Sequence, residues 1–65
     1  MFLEFTDLKG CSVYLNSNYI VGFEFLENHT AVTMTTGDRI YIVETRDEIM
    51  SVLRFNFPNI NIETK

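Results

Sequence analysis

Apolar and polar positions alternate with a period of two along most of this chain, and give way once, near the C-terminal end, to a helical period. In residues 2–8, Leu3 and Phe5 fall on one side and Glu4 and Thr6 on the other, as in a half-buried strand. Lys9-Gly10 predicts a tight turn, because Gly takes positive φ without a Cβ penalty. Residues 12–15 alternate again, with Val13 and Leu15 together. Asn16-Ser17-Asn18 then reads as a turn whose short polar side chains bond their own backbone. Residues 19–26 predict a third strand, apolar on both sides: Val21, Phe23 and Phe25 on one, Ile20 and Leu26 with Glu24 on the other. Such a strand requires cover on both faces, from the helix and a second layer or from a partner subunit.

Glu27-Asn28-His29 predicts the next turn, and residues 30–36 the fourth strand, with Val32 and Met34 on one side and Thr33 and Thr35 on the other. Gly37-Asp38 reads as a two-residue hairpin loop into a fifth strand over residues 39–44. Thr45-Arg46-Asp47-Glu48 has the form of a capping box, and both acids suit the positive end of a helix dipole. The helix is expected over residues 46–55, burying Ile49, Val52 and Leu53 with Met50 at the margin, and Pro58 stops it. The fold class is therefore α+β, mostly β: a five-stranded antiparallel meander, partly open and barrel-like, followed by one C-terminal α-helix. Residues 1–57 form the single domain, and residues 58–65 a tail that is either a frayed end or a short edge strand.

Size and charge narrow what such a domain can do. With 65 residues and 7.6 kDa, a core of its own supplies only about 3–5 kcal/mol, so many domains of this size add disulfides, metals or a partner. Cys11 is the only cysteine, which rules out an internal bridge and suits a reducing compartment. Cys11 and His29 complete no zinc spacing, so no metal and no cofactor is expected. Nine Asp and Glu against five Lys and Arg give a net charge of -4, against the needs of a phosphate-backbone binder. No apolar run approaches the roughly 20 residues of a membrane span. The opening Met1-Phe2-Leu3-Glu4 has no basic segment of a secretion signal, and the expected location is the cytoplasm.

Candidate chemistry is sparse. His29 reads as a solvated turn residue, and Cys11 as a small half-buried core residue with no base to activate it. Asp47 and Glu48 point about 100° apart on a helix, so capping explains them better than a shared acid–base site. No catalytic residue is assigned, and no enzyme activity or small-molecule substrate is expected. The aromatic content of 14% favours packing and contact surfaces instead. Phe55, Phe57, Ile60 and Ile62, around and beyond the helix end, are the candidate interface, as an apolar patch or an added edge strand for a second copy or another protein. The alternative is a small nucleic-acid-binding regulator with Lys9, Arg39, Arg46 and Arg54 as its phosphate contacts.

Over residues 2–53 the chain resembles the FlbD/SwrD family of small bacterial flagella-associated proteins. That family's opening pattern, apolar-x-Leu-Thr-x-Leu-x-Gly, is matched by Leu3-Glu4-Phe5-Thr6-Asp7-Leu8-Lys9-Gly10, and its Leu-Asn step by Leu15-Asn16-Ser17-Asn18-Tyr19-Ile20. Phe23-Glu24 stands at its Ile-Glu pair, and residues 30–37 at its Thr-rich strand ending in Gly. Tyr41-Ile42-Val43 followed by Asp47-Glu48-Ile49 matches its last strand and acidic helix start. Ile40 reads as an insertion, and the tail is rich in Asn where family tails are basic. The resemblance implies a flagellar or motility association with no catalytic residues to carry over. The strand-and-helix outline is also similar to LytTR-type DNA-binding domains and to the carbon-storage-regulator family of RNA binders; both rely on basic surfaces, against the charge here.

Overall fold

The computed structural model describes residues 1–57 and shows five strands and one helix in the expected order. The strands are β1 (Phe2–Thr6), β2 (Ser12–Asn16), β3 (Ile20–Phe25), β4 (Thr30–Met34) and β5 (Arg39–Ile42). A short 3-10 turn, Ser17–Tyr19, joins β2 to β3, and the helix α1 covers Arg46–Asn56. All strand pairs are antiparallel, and they form two sheets, β1-β2 and β3-β4-β5, that do not close into a barrel.

One seam joins the sheets. Asp7 bridges Ile42, the Val43 N–H donates to the Thr6 carbonyl at 2.9 Å, and the Thr6 N–H donates to Glu44 Oε1 at 2.9 Å. On the other side no pairing links β2 to β3 among the described residues. The inner faces meet over a core of Leu3, Phe5, Leu15, Val32, Ile42 and Ile49, with Ile49 supplied by the helix. Cross-strand neighbours explain the choice: Leu3 stands opposite Leu15 and Phe5 opposite Val13, while Phe23, Val32 and Ile40 line up across the larger sheet. Thr30 is the buried polar residue, and its hydroxyl is satisfied by donating to the Glu44 carbonyl at 2.9 Å.

The helix starts as its sequence dictates. Thr45 caps it, the Glu48 N–H donating to Thr45 Oγ1 while the Thr45 N–H donates to Glu48 Oε1. Those donors, the Thr45 backbone first and its hydroxyl second, hold the Glu48 carboxyl below its ordinary pKa. At the other end the Phe57 N–H reaches the Leu53 carbonyl at 2.7 Å, and Phe57 itself has left the helical region at φ -133 and ψ 70.

Three local expectations are corrected. In β3, Ile20 opposes Met34 but Gly22 opposes Thr33, so Val21 is the extra residue of a β-bulge. The bulge resets the alternation: Ile20 joins Phe23 against the core, and Val21, expected beside Phe23, turns out to 67% exposure. The β4–β5 loop has four residues, Thr35 to Asp38, rather than two, with the Met34 N–H donating to the Asp38 carbonyl and Gly37 at φ 92. Gly10, at φ 88, closes the β1–β2 hairpin in the same way, the Asp7 N–H donating to the Cys11 carbonyl. Cys11 therefore lies in that loop, before β2 begins, and is exposed rather than half-buried.

Candidate functional site

The open side of the fold carries an apolar cleft of about 340 Å³, between β3 and the end of the helix. Leu3 forms its floor together with Ile20 and Phe23, Val21 and Gly22 stand at the β3 rim, and Leu53 and Phe57 form the helix wall. The cleft lies beside the bulge, where Gly22 carries no side chain. Its volume is at the lower end of the range for small-ligand pockets.

A second apolar surface lies on the outer face of β1-β2. Phe2 stands opposite Asn16, and Tyr14 opposite Glu4, so Phe2 and Tyr14 are diagonal neighbours on one face. They are 68% and 61% exposed. Glu4 is the only charged residue of that face, and Ser12 Oγ donates to it at 3.0 Å.

The larger sheet's outer face is polar and internally satisfied. Arg39 Nη2 meets Glu24 Oε1 at 2.6 Å, and the Arg39 guanidinium carbon lies 5.9 Å from the Tyr41 ring centre. His29 packs edge-on against Tyr41 with ring centres 5.3 Å apart. It is half-buried, and not the solvated turn residue that its Asn28 neighbour suggests. A smaller cleft of about 160 Å³ runs from His29 past Glu44 to Arg46 at the helix start.

The candidate interface residues do not share one place. Phe55 projects from the helix at 86% exposure, whereas Phe57 packs against the core and lines the cleft. Ile60 and Ile62 lie outside the described residues. The candidate phosphate contacts are dispersed as well: Lys9 sits in the β1–β2 loop, Arg39 is engaged by Glu24, and Arg46 and Arg54 lie at opposite ends of α1. Among the described residues no cluster of three or more His, Cys, Asp or Glu side chains could hold a metal ion, and no helix is long and apolar enough to cross a membrane. Sequence reasoning missed the cleft, although Gly22 inside a strand pattern is a signal for a bulge.

These features define a small two-sheet β-protein with a capped helix, an apolar cleft on its open side and an aromatic outer face. The chain matches the family described as FlbD, flagellar and swarming motility proteins, over residues 2–56, and it belongs to that family. No curated protein and no solved structure matches it.

Proposed function

We propose that this chain serves flagellar or swarming motility as a non-catalytic contact module of the cytoplasm, docking on another protein through the outer face of β1-β2. Family membership ties the chain to motility. The exposed Phe2 and Tyr14 pair carries the choice of surface, because large aromatics on a sheet face are costly to leave in water and are enriched where proteins meet. Glu4 beside them selects a partner with an apolar patch and a cation next to it. Docking there leaves the core and the helix undisturbed, since both lie behind the opposite face of the same strands.

The test is genetic and physical together. A Phe2→Ser, Tyr14→Ser double substitution in the source strain is expected to reduce swarming while circular dichroism and melting of the purified protein stay close to wild type. Normal swarming by that variant would overturn the assignment. A second copy on this face would instead appear as a dimer in light scattering that the double substitution abolishes, and that outcome would overturn docking on another protein.

A further inference from the structure

The apolar surface begun by Phe2 and Tyr14 does not stop at the seam between the sheets. Directly opposed residues share a face, and Thr6 stands opposite Ser12 in β2, on the side of Phe2, Glu4 and Tyr14. On its other flank the Asp7–Ile42 bridge sets Thr6 opposite Val43, whose N–H donates to the Thr6 carbonyl. Val43 therefore continues the outer face of β1-β2 across the seam, and Tyr41 stands two residues before it in β5, on the same face. The same register sets Leu8, which comes after Asp7, at the level of Tyr41. Leu8, Tyr41 and Val43 are exposed large apolar side chains, as Phe2 and Tyr14 are. Past Tyr41 the face turns polar, where Glu24 holds Arg39, and the apolar strip ends.

We infer that the docking surface spans the seam, from Phe2 and Tyr14 over Thr6 and Val43 to Leu8 and Tyr41. Its occupant is another protein that lies across both sheets, with an apolar face and one Lys or Arg set against Glu4. This rests on the contact-module reading and extends its surface. With strands about 4.8 Å apart, Tyr14 to Val43 is about 10 Å across the strip, and Glu4 to Leu8 about 13 Å along it at 3.3 Å per residue. Single apolar residues scattered on a surface carry no meaning, whereas a run that crosses three strands marks a contact site. Charge selects the partner. Glu4 is the strip's only charged residue, and among the described residues no ion pair neutralises it. A net charge of -4 then favours a basic partner over a second copy. The backbone selects the approach. At Thr6, β1 is paired with β2 on one side and bonded to Val43 on the other, so no strand can be added and the partner lies on the face. A partner over both strands binds the closed seam alone and stabilises it by mass action.

The experiment uses the full chain in the source strain, with Leu8→Cys in a Cys11→Ser background as reporter and a cell-permeant maleimide as probe. In cells with native Phe2 and Tyr14 the reporter thiol should be alkylated at least threefold more slowly than in cells with Phe2→Ser, Tyr14→Ser added. The two purified proteins should react at the same rate, which assigns the protection to the partner. Equal alkylation in the two strains would overturn the seam-spanning surface. Swarming still lost in Phe2→Ser, Tyr14→Ser would then leave the contact-module reading standing, and normal swarming would end both. Alkylation of the purified reporter that slows as its concentration rises would assign the strip to a second copy and overturn the protein partner. A Leu8→Gln, Val43→Thr variant should reduce swarming about as far as Phe2→Ser, Tyr14→Ser while its melting stays close to wild type. Normal swarming by that variant, beside loss in the other, would equally overturn the inference. If the pair melts early, Leu8→Gln alone, in the loop outside the strands, takes its place.

Discussion

The two sides of the meander are closed by different means. Between β1 and β5 the backbone is stitched directly: the Asp7–Ile42 bridge, the Val43 to Thr6 hydrogen bond and the Glu44 carboxylate on the Thr6 N–H lie within a few residues of each other. Between β2 and β3 there is a 3-10 turn, a bulge at Val21 and an apolar cleft. The difference shows how a 65-residue chain divides its limited cohesion. Directional bonds stitch one side over the buried core, and the other leaves an apolar cleft beside β3.

Substitutions should separate the two sides clearly. The largest loss is expected from Ile42→Ala, which removes a fully buried side chain at the seam; chemical denaturation should show about 2–5 kcal/mol less stability. Next comes Glu44→Ala, which strips a charged acceptor from the Thr6 N–H and should cost about 1.5–3 kcal/mol in the same assay. Thr45→Ala removes the helix cap and should cost about 1 kcal/mol, read from the denaturation midpoint. Val21→Ser, on the open side, should change stability by less than about 0.5 kcal/mol, because the bulge already presents that side chain to water. An equal cost for Val21→Ser and Ile42→Ala would erase the distinction between the sides.

Acid titration isolates the cap. The Glu48 carboxyl is held below its ordinary pKa in the folded chain, so its contribution is fully present above the unfolded value of about 4.3 and is lost as pH falls through the folded value. Glu48→Gln should flatten a small part of the acid limb of a pH–stability curve, leaving the neutral region nearly unchanged. An acid limb identical in wild type and variant would deny the capping carboxylate any role.

Much of this was legible because it is local. The period of two, the Gly10 and Gly37 turns and the Thr45–Glu48 box each involve residues close in sequence, whose sterics and hydrogen bonds act without help from the rest of the fold. The β3 faces were misread because one extra residue in a strand inverts every side chain beyond it, and pattern alone does not mark the inversion. Gly22 was the available clue. The two-residue reading of the Gly37 loop failed for a similar reason: Gly37 serves as the left-handed residue after a turn begun at Met34, so the loop starts earlier than its glycine. The cleft and the pairing of His29 with Tyr41 join residues distant in sequence, and no short-range signal announces either.

Whether the seam and the core act as one body is decided most directly by native-state amide hydrogen exchange at Thr6 and Val43, measured beside Val32 in the central strand. If the seam unites the sheets, all three amides exchange only through global unfolding and give the same free energy as denaturation. Exchange at Thr6 and Val43 that runs faster than global unfolding, with Val32 still protected, would show two sheets opening independently and would contradict the account.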